Sequence, residues 1–273
     1  MNLPAFSTLV LKLSEGIAEV RLNRPDKANA MNEAMWQEIR QAFEWVDATP
    51  PARVAILCGE GKNFCAGIDL AMLASIQQQI ANPDGARSRE ALRRLILDLQ
   101  DCLSSIERCR KPVIAAIQGA CVGGALDMVT CCDMRYASED AIFSIKEIDL
   151  GMVADVGTLQ RLPYLIGQGM TRELAFTGRN VRASEAKQIG LVNQIFESNS
   201  ALTVTVNELA KTIAEKSPLA IRGIKEVMNF SRDRSVADGL NHVASWNAGV
   251  LLSADLNECI NAQRERRTAI FSD

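Results

Sequence analysis

The 273-residue sequence contains one histidine, His242, so a Ser-His-Asp or Cys-His nucleophile has only one candidate base. Its eight cysteines include no C-x-x-C pair, which with a single histidine argues against a Cys/His zinc site. Carboxylates are therefore the acid/base groups available in number. One of them, Asp127, falls within the apolar run from Val122 to Cys132, predicted to be helical. An unpaired charge there would be costly, so Asp127 must have a partner or a function.

Two glycine-containing turns could serve the opposite need, binding negative charge. One is Phe64-Cys65-Ala66-Gly67-Ile68-Asp69-Leu70 and the other is Gly119-Ala120-Cys121-Val122-Gly123-Gly124-Ala125-Leu126-Asp127. Each follows an apolar strand pattern and precedes a predicted helix. Helix N-termini leave backbone N–H groups without intrahelical partners, and the helix dipole favours an anion there. Two such turns facing each other could hold one oxyanion. Taken singly, each reads better as merely a tight strand-to-helix turn. The second lacks G-x-G-x-x-G spacing, so a dinucleotide-binding reading is weak.

The elements that must position these residues follow from periodicity. Ala18, Val20 and Leu22 alternate with Glu19 and Arg21 after the turn Ser14-Glu15-Gly16, which predicts a β-hairpin. From about Asn32, the spacing of Met35, Ile39, Phe43 and Val46 predicts a helix ending near Thr49-Pro50-Pro51. Strands are expected at 54–57 and 112–117, with a long amphipathic helix at about 88–108 between them. Strand and helix patterns alternate in this way, which predicts an α/β fold with parallel strands and helical crossovers. Beyond about 200 the strand signals stop. Helical runs at 203–215, 218–230 and 235–265 suggest two regions, an α/β core at 1–199 and a helical region at 200–273, whose apolar stripe would pack on the core or on a neighbouring subunit.

Composition narrows the classes further. Hydrophobic residues make up 48% and charged residues 23%, and the net charge is −3, so nothing global draws the chain to nucleic acid or acidic lipid. The basic cluster Arg264-Glu265-Arg266-Arg267 is short and interrupted, and reads as a solvated helix end in preference to an RNA-binding patch. No apolar stretch reaches the roughly 20 residues needed to span a bilayer, so no membrane partner is expected. The first residues lack a secretory or transit pattern and the last three are not a peroxisomal tripeptide, so the expectation is a cytoplasmic protein with reduced thiols.

Four segments in order, Leu22 to Asn32, Phe64 to Leu70, Gly119 to Asp127, and Cys132-Asp133-Met134-Arg135-Tyr136-Ala137, resemble the successive signatures of the crotonase (enoyl-CoA hydratase/isomerase) superfamily across roughly residues 10–195. That resemblance implies a spiral of β-β-α repeats with a C-terminal helical trimerisation region, and a homotrimer or dimer of trimers. It implies an acyl-CoA thioester substrate, with no cofactor because CoA arrives as part of the substrate. The backbone N–H groups of Ile68 and Gly124 would form the oxyanion hole. Ala66, Gly67, Ile68, Asp69 and Leu70 would line the pantetheine path, and Ala28 to Ala30 would lie near the adenine end.

Within the superfamily, hydratases hold water with two glutamates, whose positions here are Asp127 and Glu147. A third acid, Asp155, stands where hydratases usually have glycine. The set Asp127, Glu147, Asp155, with the run through Arg161-Leu162-Pro163, is similar to that of the delta-3,5-delta-2,4-dienoyl-CoA isomerases. By that similarity Asp155 would take the proton from carbon 2, Glu147 would protonate carbon 6, and Asp127 would orient and balance charge. Without the motif context, Glu147 reads as a solvated charge beside Lys146, and Asp155 as a cap on the helix expected near Gly157. Enoyl-CoA hydratase or monoenoyl-CoA isomerase remains the alternative activity, and a non-catalytic, RNA-binding member a distant one. Asp133, Arg135 and Asp149 are expected in structural ion pairs.

Overall fold

A computed structural model describes residues 3–272. The expected hairpin is present: β1 (Leu9–Ser14) and β2 (Ile17–Leu22) pair antiparallel, with Glu15 and Gly16 at positive φ in the turn. Asn32 then accepts from the Met35 N–H and starts α1 (Glu33–Ala48), which buries Met35, Ile39, Phe43 and Val46. Next come β3 (Val54–Gly59), parallel to β2, and the helices α2 (Leu70–Gln79) and α3 (Gly85–Arg108). The run at 54–57 is apolar throughout because both faces of β3 are covered.

The central part repeats one plan. β4 (Val113–Ile117), β5 (Ala120–Val122) and α4 (Gly124–Thr130) form one β-β-α unit. β6 (Met134–Ser138), β7 (Ile142–Ser144), a short 3-10 helix at Glu147–Leu150 and α5 (Thr158–Ile166) form the next. The first strand of each unit joins a six-stranded sheet ordered β1-β2-β3-β4-β6-β9, where β9 is Gln194–Phe196. The second joins a three-stranded sheet ordered β5-β7-β8, where β8 is Val181–Arg182. The pairs β2–β3, β3–β4, β4–β6 and β6–β9 are all parallel. After α5 come α6 (Gln168–Thr177), β8 (Val181–Arg182), α7 (Ala183–Gln188) and β9 (Gln194–Phe196). The fold is the β-β-α spiral with C-terminal helices.

One boundary differs from the reading of 122–132 as a single helix. Val122 closes β5, and α4 begins only at Gly124, because Gly123 adopts φ 57° and turns the chain between strand and helix.

The helical region divides into α8 (Asn199–Ala214), α9 (Pro218–Ser231), α10 (Val236–Val250) and α11 (Ala254–Glu265). Ser253 caps α11 by accepting from the Leu256 N–H, which splits the run expected at 235–265. α8 covers the sheet face formed by Val54, Ile56, Ile114 and Ala116, burying Leu202, Val206 and Ala210 against it. Each fully buried Leu or Val adds roughly 1.5–3 kcal/mol. The other sheet face meets α1, α3 and α4 in the main core. α9 to α11 leave large apolar side chains outside, among them Met228, Val236, Leu240, Leu251 and Leu252.

Candidate active site

The two glycine turns meet. Met31 pairs with Ile68 in an isolated parallel bridge, its N–H donating to the Gly67 carbonyl (2.7 Å) and its carbonyl accepting from the Asp69 N–H (2.9 Å). Cys65 pairs likewise with Cys121. A Cβ on Gly67, at φ 89°, would lie 2.7 Å from the Val122 carbonyl and 3.4 Å from the Gly124 nitrogen. Only glycine allows this approach. Because Met31 bonds residues 67 and 69, the intervening Ile68 N–H points away from it, and Gly124 opens α4, where first-turn donors lack partners. Among the described residues, no backbone acceptor outside regular elements takes either N–H. These are the two N–H groups to which the family resemblance gives the oxyanion role, on turns joined by the Cys65–Cys121 backbone bridge.

The loop from Arg24 to Ala30 is clamped onto the same place. The Ala66 N–H donates to the Ala28 carbonyl (2.9 Å), so Ala28 and Ala30 flank the turn carrying Ala66 to Leu70. The side-chain amide of buried Asn29 donates to the carbonyls of Glu60, Asn63 and Phe64, and its oxygen accepts from the Arg24 N–H. Sequence reasoning missed this residue. Its signal was weak: an Asn tolerates the positive φ, 55° here, that the loop requires. Asp69 caps α2 at the Ala71 N–H and pairs with Arg24 at 3.0 Å, so its side chain holds the turn in place.

The three acids lie within electrostatic reach of one another. Asp127, wholly buried on α4, accepts at Oδ1 from the Thr158 N–H at 2.5 Å. It therefore caps α5, the role that sequence alone offered to Asp155. Burial, then the charge of Glu147, pushes the Asp127 carboxyl up to about 7. Glu147 is half-buried in the 3-10 helix, with Oε1 3.3 Å from where a Gly123 Cβ would stand. Burial, and after it the charge of Asp155, also raises this carboxyl. Asp155 is the most open of the three, between buried Ala154 and Val156, and desolvation raises its carboxyl too. Asp127 Oδ2 and Glu147 Oε2 are buried without a hydrogen-bond partner. The cluster can thus hold a proton on one carboxyl while another stays ionised.

A family model described as enoyl-CoA hydratase/isomerase matches residues 12–273. The chain belongs to that family. Curated relatives include the peroxisomal Delta(3,5)-Delta(2,4)-dienoyl-CoA isomerase of Arabidopsis thaliana, 46% identical over all of this chain and 99% of its own. The mitochondrial Delta(3,5)-Delta(2,4)-dienoyl-CoA isomerase of Homo sapiens is 44% identical over 97% of this chain and 82% of its own. Among solved structures, an enoyl-CoA hydratase from Bacillus anthracis aligns with a TM-score of 0.88 and 31% identity, covering 97% of this chain and 99% of that one.

Membership in the family corrects one expectation. The cytoplasmic location inferred from sequence is overturned, since these relatives are named peroxisomal and mitochondrial. A delivery signal is a short receptor-read stretch that leaves no mark on core or site, so composition and folding pattern carry no information about it.

Other charged residues take structural parts in this family member. Asp133 pairs with Lys225 (2.7 Å) and Asp149 with Lys146 (2.9 Å). Arg135, expected in an ion pair, instead donates to the carbonyls of Leu191, Cys132 and Val129, where a buried strand meets the end of α4. His242 stacks on Phe230 at 3.8 Å. In the basic cluster, Arg267 is tied to Glu258 and Glu265.

Proposed function

We propose that this chain is a dienoyl-CoA isomerase that moves the double bonds of a 3,5-dienoyl-CoA to the 2,4 positions. The observation that carries this reading is the third acid: Asp155 lies three residues before Thr158, whose N–H Asp127 binds, and its charge adds to burial in raising the carboxyls of both Asp127 and Glu147. Hydration would leave that third carboxyl without a task. The 38–46% identity to relatives named dienoyl-CoA isomerases supports the same choice.

In this mechanism the thioester carbonyl accepts from the N–H groups of Ile68 and Gly124. Asp155, ionised, takes the carbon-2 proton, and the C–H electron pair moves into an enolate held by the two donors. Glu147, protonated, then delivers a proton to carbon 6 as the electrons shift along the diene. One carboxyl cannot easily reach both ends. Burial raises the affinity of Glu147 for its proton, which favours the acid form this step needs, and Asp127 orients the pair through its bond to the N-terminus of α5. CoA enters as part of the substrate, with its pantetheine along Ala66 to Leu70 and its adenine near Ala28 and Ala30. No other cofactor is invoked.

The second reading is hydration of a 2-enoyl-CoA, favoured by the unpartnered oxygens Asp127 Oδ2 and Glu147 Oε2, which could hold a water. Offering purified protein both 3,5-dienoyl-CoA and 2-enoyl-CoA separates the two. Faster turnover of the 2-enoyl thioester would reverse the choice.

Assembly as a homotrimer or dimer of trimers is part of the proposal. It is supported by the apolar side chains that α9 to α11 leave exposed, Leu252 at 90% and Met228 at 68%. A cavity of about 440 Å³ among those helices is lined by Ile224, Val243, Trp246 and Leu256.

A further inference from the structure

Helix α3 carries a polar stripe that the proposed chemistry does not use. Leu99, Cys102, Leu103 and Ile106 are its buried face. Gln100, Ser104 and Glu107 recur at i, i+4 and i+7, and so share one side of the helix. All three reach the same segment. Gln100 Nε2 donates to the Asp155 carbonyl at 2.6 Å. Ser104 Oγ accepts from Arg161 Nη2 at 3.1 Å, and Glu107 Oε2 accepts from Arg161 Nε and Nη2 at 3.2 and 2.9 Å.

Arg161 in turn lies over the start of α5, because a Cβ on Gly157 would stand 2.0 Å from its Nη1. The stripe therefore grips residues 155–161 at both ends. That segment carries Asp155 and also the Thr158 N–H that binds Asp127. It needs an outside grip. Residues 152–157 have no regular structure, and among the described residues backbone bonds anchor them only at the two ends, Met152 N–H to Glu147 and Gln160 and Arg161 N–H to Gly157.

We propose that Gln100 is a positioning residue for the carbon-2 base: by holding the Asp155 main chain it sets where the Asp155 carboxyl lies, while Ser104 and Glu107 hold the rest of the segment through Arg161. The inference rests on the isomerase reading for its consequence and on the hydrogen-bond geometry for its existence. A bond that merely packs helix against loop would move stability and leave turnover alone. A bond that aims a base changes kcat with little change in KM, since misplacement by about 1 Å can cost on the order of a hundredfold.

The test uses the full chain with Gln100→Met, which keeps length but donates nothing, and Gln100→Glu, which keeps shape but offers only an acceptor when ionised. For both, kcat with 3,5-dienoyl-CoA should fall about ten- to a hundredfold with KM within about twofold, and carbon-2 exchange with deuterated water should fall in parallel. Unchanged kcat and exchange in both variants would overturn the proposal. NMR of isotope-labelled aspartate in the free protein reads placement without turnover. A shifted or broadened Asp155 carboxyl signal in Gln100→Met supports the grip even if the parent proves inactive on dienoyl-CoA, which would count against the isomerase reading alone. An unmoved signal overturns it.

Discussion

Asp127 Oδ1 accepts the Thr158 N–H at 2.5 Å across 31 positions of sequence, so one buried carboxyl both closes the acid cluster and caps α5. The two roles respond differently to substitution. Asp127→Asn retains an oxygen for the Thr158 N–H and loses the titratable proton.

Stability should then depend on pH in a definite direction. An unfolded aspartate ionises near 3.8, and buried Asp127 near about 7. Between those values the folded chain keeps a proton that the unfolded chain has released, so stability falls as pH rises through that window. Asp127→Asn escapes this loss. Thermal melts should show the variant gaining on the parent between about pH 4 and about pH 7, with any remaining difference at low pH reflecting the cap alone. A gap of the same size at both pH values would falsify the burial argument.

Asp155→Asn should stay folded and lose isomerase turnover by ~10² to 10⁴, the usual weight of a positioned base. Glu147→Gln should also lose isomerisation, but it retains Asp155 and hence carbon-2 exchange with deuterated water. Mass spectrometry of recovered substrate distinguishes them. Exchange in Asp155→Asn at the parent rate would remove Asp155 from the mechanism.

At position 68 only the N–H matters to the oxyanion. Ile68→Ala should keep most of kcat, whereas Ile68→Pro deletes the donor and should cost ~10² to 10³. Circular dichroism checks that both fold, and steady-state kinetics supplies the comparison. Equal losses in two folded variants would point to the side chain instead.

Gly67→Ala and Gly124→Ala should differ in severity. The added methyl at 67 meets the Val122 backbone carbonyl at 2.7 Å in a chain already at φ 89°, so the turns must part. At 124 it meets Met31 Cε at 2.8 Å, the movable end of a flexible side chain. Gly67→Ala is expected to lose more kcat. The reverse ranking would mean that the contact between turns is not what aligns the donors.

Deleting residues after about 235 removes α10 and α11 and bares the apolar face of α9, with Ile224 and Met228 already exposed. Aggregates or inactive monomers should result. Size-exclusion chromatography with an activity assay decides this, and a soluble, fully active trimer would refute the assembly role.

The sequence by itself determined the elements and the candidate residues, because those depend on short-range regularities. Alternation at Ala18, Val20 and Leu22 specifies one strand of the hairpin, the spacing Met35, Ile39, Phe43, Val46 specifies α1, and a charge at 127 within an apolar run marks a site. Tertiary structure alone decided which N–H groups stay unbonded, since that follows from Met31 bridging residues 67 and 69 across 36 and 38 positions, a pairing no local pattern encodes. It also decided which acid caps α5. Read locally, Asp155 was the acid to cap a helix expected near Gly157, yet α5 starts at Thr158 with Gly157 at the N-cap position, and Asp127, brought in by α4, takes the hydrogen bond. The grip of Gln100, Ser104 and Glu107 on residues 155–161 was likewise invisible in sequence, where a polar stripe on an amphipathic helix reads as its solvated face. Only the packing of α3 beside that segment turns it toward the site, because a side chain's partner is set by what the fold places opposite it.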